Sequence, residues 1–246
     1  MARTNLTAGN SIATGTIYAT AILNPTANRL VLAFVLNARS STLSAATPSL
    51  TGNGLTWERI ETVTTGLNGD RRLTCFRAMG ATPSAGALTI SFGPETQDLC
   101  AWSVFEYDGV DSSGANGAGA IAQSRSQTGT GTSLAVVLNP FADPVNNLAV
   151  GGIILDLLVD PVRPVDPGAG FVEIHEQSPN RPGGKGGTLQ TQDRAGQKAH
   201  TDPSLLLFGL SRSRTHAFKS FKGGCWGANI ERSTSKGKGS GLKPVP

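Results

Sequence analysis

The stretch Arg29–Leu36, with the sequence Arg-Leu-Val-Leu-Ala-Phe-Val-Leu, decides the fold of this chain. Every residue after the arginine is apolar, and none alternates with a polar residue. An apolar run of this length, bounded by turn residues, is typical of a strand in the centre of a β-sandwich with both of its faces buried. Shorter strand signals recur on either side of it, with Gly, Asn, Ser and Pro between them, which predicts an all-β chain.

The composition favours the same fold class. The 246 residues include 31 Gly and 14 Pro, and only 15% of them are charged. Glu, Lys and Met, which favour helices, are few, whereas Gly, Thr, Ser and Asn are many. This balance argues against a helical bundle and against an α/β nucleotide-binding enzyme, and it favours strands joined by turns.

Local signals predict a hairpin and the two faces of one strand. Asn68-Gly69 predicts a tight hairpin turn, because both central residues of a type I′ turn need positive φ. The alternation within Leu99–Tyr107 predicts two faces, with Leu99, Ala101 and Phe105 on one side and Cys100, Trp102 and Val104 on the other.

We expect about twelve or thirteen strands, the first at Ser11–Thr20, in one double-layered sandwich domain over residues 1–232. Asp108–Gly119 is interpreted as a loop inside this domain, because a boundary there would leave long unpaired strand edges before it. Residues 233–246, rich in Ser, Gly, Lys and Pro, predict an extended C-terminal arm without a core of its own.

Charge is distributed unevenly along the chain. From Ser211 onward there are eight Lys and Arg against one Glu, a balance of +7, which leaves −3 for residues 1–210. One interpretation is an arm whose Lys236, Lys238 and Lys243 dock on an acidic partner surface, a neighbouring subunit or nucleic acid; the other is a solvated tail. Because the basic excess does not cover the whole domain, the domain itself is not expected to bind nucleic acid.

The three cysteines, Cys75, Cys100 and Cys225, form neither a disulfide framework nor a zinc-binding pattern. Cys75 and Cys100 lie in apolar strand patterns and are expected to be buried, and whether they pair depends on whether their strands are neighbours. No export signal opens the chain, and no apolar run is long enough to span a membrane, which predicts a soluble protein without a membrane partner.

No motif for catalysis or for binding a metal or cofactor is complete, so we expect a protein without enzymatic activity, cofactor or metal. His175 lies in an alternating strand pattern, which predicts that its neighbours face the other way. A Ser–His–Asp triad stays open because its members are neighbours only in space, although no Gly-x-Ser-x-Gly motif is present. Loop carboxylates such as Asp108 and Asp111 suit calcium, but turn capping is the more ordinary role.

Among the tryptophans, Trp102 is expected in the core and Trp57 at the surface. Trp57 is followed by Glu58 and Arg59, so its ring should be partly exposed. A flat indole on a sheet surface is suited to stacking against a sugar ring. Trp57 is therefore the candidate residue for glycan stacking.

Several of these segments, in this order, resemble jelly-roll-like β-sandwich proteins of tailed phages and prophage regions. The resemblance covers roughly residues 10–231, implies a jelly-roll-like antiparallel sandwich, and brings no catalytic residue with it. The segments that carry it are Asn28–Asn37, Gly54-Leu55-Thr56-Trp57, Arg77-Ala78, Ala87–Phe92, the stretch from Trp102 that ends Phe-Glu-Tyr-Asp-Gly-Val-Asp, Gly168–Glu173 and Leu189–Gln192.

The expected function is that of a non-enzymatic structural component of a phage virion, either a head decoration protein or an accessory tail protein. Its partners would be other virion proteins and copies of itself, and its location the virion, assembled in the host cytoplasm. The alternative is a carbohydrate-binding module or adhesin that binds a host-surface glycan through rim loops and Trp57. A hydrolase that uses loop carboxylates is a third interpretation.

Overall fold

The structure is a computed structural model, and it describes residues 1–39, 42–129, 135–140, 147–157, 165–168, 170–180, 186–195, 200–201 and 205–211. Two short 3-10 helices, Leu67–Gly69 and Ala115–Ala120, accompany the strands of this part of the chain. The all-β prediction is confirmed. The strands are β1 (Arg3–Ser11), β2 (Ile17–Leu23), β3 (Leu30–Ala38), β4 (Ser49–Thr51), β5 (Glu58–Thr65), β6 (Arg71–Ala78), β7 (Gly86–Ser91), β8 (Leu99–Tyr107), β9 (Ile121–Ser126), β10 (Ala135–Val136), β11 (Asn147–Leu157), β12 (Val172–Gln177), β13 (Gly186–Ala195), β14 (His200–Thr201) and β15 (Leu205–Ser211).

The first eight strands have the nested pairing of a jelly roll. β1 pairs with β8, β2 with β7 and β3 with β6, and all three pairs are antiparallel. They form a central sheet in the order β1-β8-β3-β6-β5 and an outer sheet in the order β2-β7-β4. Only β5 departs from the nesting, since it pairs with β6 in the central sheet and not with β4. The jelly-roll-like antiparallel sandwich is therefore confirmed.

A third layer covers the other face of the central sheet. It is a C-terminal sheet in the order β12-β13-β11-β15-β9. One core cluster, which includes Phe34, Phe105 and Ile154, fills the space between the central and C-terminal sheets. A second cluster, which includes Val35 and Ile90, lies between the central and outer sheets. The expectation of two layers is wrong, because β9, β11, β12, β13 and β15 build a separate sheet and do not extend the jelly roll, while β10 and β14 pair with each other in a two-stranded sheet.

The position of β3 in the middle of three layers explains its sequence. Its even-numbered residues, such as Leu32 and Phe34, belong to the cluster against the C-terminal sheet. Its odd-numbered residues, such as Val31 and Val35, belong to the cluster against the outer sheet. The two faces predicted for β8 are also confirmed, with Phe105 in the first cluster and Trp102 in the second. A strand that is buried on both faces is expected to be apolar at most of its positions and not only at alternate ones.

The hairpin predicted at Asn68-Gly69 joins β5 to β6. Both residues have positive φ, 59° and 69°, as the turn prediction requires. The turn is longer than the two-residue type I′ turn, because Thr65 and Arg71 are the last paired residues and five residues separate them. The hairpin is confirmed, and its turn type is wrong.

The predicted strand Ser11–Thr20 is interrupted where the chain passes from the central sheet to the outer sheet. β1 ends at Ser11 and β2 begins at Ile17, so the residues between them form the crossing. The Tyr18 hydroxyl lies 2.8 Å from the carbonyl oxygen of Ala13 and 3.1 Å from that of Gln97. These contacts fix the crossing turn against the loop before β8.

Residues 212–246 lie outside the described part of the chain. The predicted end of the domain at residue 232, the arm over 233–246 and Cys225 therefore stay predictions. Within the described ranges, no helix has the length and apolar character needed to cross a membrane.

Candidate functional site

The outer sheet presents a surface without charge. None of β2, β4 and β7 contains an Asp, Glu, Lys, Arg or His, and residues 4–28, which include β2, have none either. The paired register places Ala19 of β2 and Thr51 of β4 on either side of Thr89 of β7. We call this side of the outer sheet the uncharged face, and define it by Ile17, Ala19, Ile22, Thr51, Ala87 and Thr89.

The uncharged face is apolar along β2. Ile17 is 61% exposed and Ile22 is 77% exposed, although isoleucine is usually buried. The inward-facing residues of the same sheet, such as Leu88 and Ile90, pack against the central sheet. Ile17 lies at an outward position of the β2 alternation, where a polar residue would be ordinary, and the register shift between Ala19 and Ile22 turns Ile22 outward as well. An exposed sheet face that keeps apolar residues and excludes charge is typical of an interaction surface.

A cleft of about 250 Å³ lies at the β1–β2 crossing, beside Ile17. Ser11, Thr14, Tyr18 and Trp102 are among the residues that line it. Trp102 is only 7% exposed, as expected for a core residue. Its indole nitrogen has no hydrogen-bond partner among the described residues. The cleft extends the uncharged face with residues that carry hydroxyl groups.

A cluster of polar side chains links the central sheet to the C-terminal sheet. The Ser103 hydroxyl lies 2.8 Å from Nδ1 of His175 and 2.9 Å from the Thr191 hydroxyl. Beside it, Asp193 accepts a hydrogen bond of 2.7 Å from the Tyr107 hydroxyl. These groups lie beside the apolar cluster between the two sheets, where paired polar side chains fix the relative position of the sheets.

A β-bulge in β12 turns His175 into this layer. The pairing of β12 with β13 shifts between Glu173 and His175, so Ile174 is an extra residue. As a result Ile174 joins the core cluster while His175 contacts Ser103. The alternation predicted around His175 is wrong, because a bulge lets two consecutive residues face the same side.

The charges around His175 favour its neutral form. Burial lowers the pKa of His175, and the positive charge of Arg3 lowers it further. Arg3 is itself paired with Asp193, at 2.7 Å between Nη1 and Oδ2. Burial raises the pKa of Tyr107, and the carboxylate of Asp193 also raises it. At neutral pH the cluster therefore holds a neutral imidazole and a protonated phenol beside one ion pair.

The geometry of this cluster differs from that of a Ser–His–Asp triad. Ser103 is fully buried, and its hydroxyl already contacts two side chains. Asp193 binds Tyr107 and Arg3 in place of the histidine. A triad needs a serine that a substrate can reach and an aspartate that orients the histidine. The contacts seen here suit a link between the sheets.

Trp57, the candidate for glycan stacking, lies just before β5 and is half-buried. Its indole nitrogen donates a hydrogen bond of 3.3 Å to the carbonyl oxygen of Gly52, and its ring packs against the second core cluster. The ring is therefore held in a fixed position with part of its surface exposed. The other candidate residues, Lys236, Lys238 and Lys243, lie outside the described part of the chain.

The two described cysteines are free thiols on opposite faces of the central sheet. Cys75 belongs to the cluster against the C-terminal sheet and Cys100 to the cluster against the outer sheet. Their strands, β6 and β8, are separated by β3. Burial raises the pKa of both thiols, so they are protonated and unreactive.

The loop carboxylates named as calcium candidates cap backbone amides. Asp108 accepts a hydrogen bond from the amide of Ala2, and Asp111 accepts one of 2.8 Å from the amide of Ser113. Within the described ranges, no three His, Cys, Asp or Glu side chains are grouped so that they could hold a metal ion.

Comparison with protein-family models, with curated proteins and with solved structures finds no significant match to this chain. Any inference about function therefore depends on the fold, the uncharged face and the side-chain contacts described above.

Proposed function

We propose that this chain is a non-enzymatic structural component of a phage virion, either a head decoration protein or an accessory tail protein. It would act through contacts with other virion proteins and with copies of itself. The observation that carries the proposal is the uncharged face, an exposed sheet surface suited to contact with another protein. The nested jelly-roll pairing supports it as well, since jelly rolls are a common architecture of viral capsid proteins.

The uncharged face suits a protein partner for a physical reason. Burying the exposed side chains of Ile17 and Ile22 against a partner is favourable, by roughly 25 cal/mol per Å² of apolar surface removed from water. No charge on the face has to be desolvated or paired when a partner covers it. A partner with a matching apolar and hydroxyl surface could therefore bind without an ion pair.

The test is whether the protein is part of the particle. Particles from the source phage would be purified on a density gradient, and their proteins quantified by mass spectrometry. We expect this chain at a fixed copy number relative to the major capsid protein, and its three-layered fold in a cryo-EM map. A chain found in the lysate but absent from purified particles would contradict the proposal, and a replication protein of the same phage serves as the control.

A carbohydrate-binding module or adhesin is the second candidate function, and the partly exposed ring of Trp57 favours it. Its hydrogen bond to Gly52 holds the indole in place, which lowers the entropy cost of stacking a sugar on it. A glycan array would be probed with the wild type, with Trp57→Ala and with Trp57→Phe. Binding lost in the alanine variant and kept in the phenylalanine variant would favour this function, and no binding by the wild type would exclude Trp57 as a stacking residue.

A further inference from the structure

The uncharged face differs from three of the four end strands of the two larger sheets; the fourth, β1, has Arg3 as its one charged residue. β5, the end strand of the central sheet, has three charged residues, Glu58, Arg59 and Glu61. The end strands of the C-terminal sheet are also charged, with Glu173 and Glu176 in β12 and Arg125 in β9. Proteins use such charges to stop exposed strands from associating with other sheets. The outer sheet lacks this protection on all three of its strands.

The absence of charge also limits which partner fits. A basic or acidic partner would find no complementary charge on this face, because none of its six residues is ionisable. A second copy meets the same neutral surface, with no like charges to repel it. The middle of the face has the small side chains of alanine and threonine, and the larger isoleucines lie at both ends of β2. Because of this difference in size, two copies of the face related by a two-fold axis can pack together.

We propose that the uncharged face packs against the uncharged face of a second copy, so that two outer sheets stack across a two-fold axis. Thr89 lies at the middle of the face, between Ala19 and Thr51, and would face its own counterpart near the axis. Ile17 and Ile22 lie at the two ends of β2 and would fill the space on either side of the contact between the two Thr89 residues.

The small size of the face predicts a weak pair. β2, β7 and β4 are seven, six and three residues long, and at a strand spacing of about 4.8 Å they cover only about 260 Å² in projection. A stable dimer buries roughly 800 Å² on each partner. We therefore expect association in solution only at high protein concentration. A particle that holds many copies side by side would provide such a concentration locally, an expectation that rests on the proposed function.

Sedimentation velocity over a range of protein concentrations tests the proposal. We expect the full-length wild type to shift from monomer towards dimer at high micromolar concentration. Thr89→Lys and Thr89→Glu should each stay monomeric, because two like charges would meet at the axis. An equimolar mixture of the two variants should restore the dimer, because opposite charges then meet there.

A charge placed elsewhere provides the control. Val172 of β12 is 61% exposed, as Ile17 is, but belongs to the C-terminal sheet. Val172→Lys should therefore associate like the wild type. Thermal unfolding of each variant would confirm that it is folded.

Two results would overturn the proposal. One is a wild type that stays monomeric at every concentration, as it would if residues 212–246 covered the face. The other is a Thr89→Lys variant that associates as the wild type does. Either result leaves the proposed function open to its own test, since a protein can be part of a particle without forming this dimer.

Discussion

Gly152 of the C-terminal sheet lies directly against Phe34 of the central sheet. A Cβ atom at this position would lie 2.7 Å from Cε1 of Phe34, a ring that is itself stacked on Phe105. The missing side chain therefore lets β11 pack directly on an aromatic ring of β3. Glycine is required at this position because the Phe34 ring leaves no room for a Cβ atom.

We predict that Gly152→Ala destabilises the fold by roughly 1–3 kcal/mol, because the added methyl overpacks a rigid ring. Gly187→Ala is the matched control, since its Cβ would lie 3.4 Å from Cδ2 of Leu36, an ordinary contact. Urea unfolding of both variants measures the difference. Equal stabilities would mean that Phe34 moves aside without cost.

Glu106 is a second residue whose role depends on its burial. It is only 1% exposed, and its carboxylate accepts hydrogen bonds from the amide and hydroxyl of Thr26, at 2.8 and 2.7 Å. Arg29 completes the site at 3.1 Å. The carboxylate thus fixes the turn between β2 and β3.

We predict that Glu106→Gln costs roughly 2–4 kcal/mol of unfolding free energy, because an amide cannot accept all three hydrogen bonds and leaves Arg29 without its charge partner. Glu95→Gln removes the ion pair with Arg39 at a half-exposed site and should cost less than about 1 kcal/mol. Chemical unfolding of the two variants gives the comparison. A similar loss of unfolding free energy in both variants would show that the burial of Glu106 does not make its hydrogen bonds more important for stability.

Among the elements, β12 depends on its bulge to contact the central sheet. The bulge places Ile174 in the apolar cluster and His175 against Ser103. Since β12 is an end strand of the C-terminal sheet, β13 is its one neighbour in that sheet. The contact between β12 and the central sheet includes the hydrogen bond between His175 and Ser103, so it should depend on whether His175 is protonated.

We predict that acid weakens the fold through His175. The pKa of His175 is lower in the folded state than its ordinary value, so the unfolded chain binds this proton more readily. The stabilisation is complete above about pH 7 and is lost as the pH falls through 6.5 towards the folded pKa. His175→Asn keeps a polar group near the Nδ1 position but does not titrate.

The measurement is the free energy of unfolding in urea at several pH values between 7.5 and 5. The wild type should lose more stability over this interval than His175→Asn, and the difference isolates the histidine from Asp193 and Tyr107. Arg3→Met removes the nearby positive charge and should reduce the pH dependence. Parallel curves for the wild type and His175→Asn would contradict the prediction.

Some elements were hidden from sequence analysis for clear physical reasons. β1 has Thr, Asn, Gly and Ala in place of an apolar pattern, because it is an end strand whose residues are mostly half-exposed. The contact between Ser103 and His175 joins residues 72 positions apart and depends on a bulge that period-two alternation does not predict. The uncharged stretch before Arg29 could be read directly from the sequence, but its position on one face required the strand register.

At the scale of the whole molecule, the apolar run in β3 contained more information than the two-layer prediction used. A strand in a two-layer sandwich has one face towards solvent and should alternate, whereas β3 and β8 are buried on both faces and have apolar residues on each. Two such strands require a layer on each side. Which later strands form the third layer could not be predicted, because their pairing partners are set by long-range packing.

The shared core predicts that the jelly roll does not fold alone. Of the 18 buried residues in the cluster below the C-terminal sheet, 13 belong to residues 1–111. A fragment of residues 1–111 would expose them to water. We expect it to aggregate or to bind the dye ANS without a cooperative thermal transition. A monomeric fragment with a sharp unfolding transition would show instead that the first eight strands form an independent domain.

The nested pairing has a consequence for synthesis on the ribosome. Arg3 pairs with Tyr107, so the first strand waits for more than a hundred residues before its partner emerges. The second face of β3 stays uncovered for longer, because the C-terminal sheet is complete only after β15, which ends at Ser211. At 5–20 residues per second this delay is on the order of 10–40 s. A nascent chain whose most apolar strand has one face uncovered for that time is a natural client for a chaperone that binds extended hydrophobic segments.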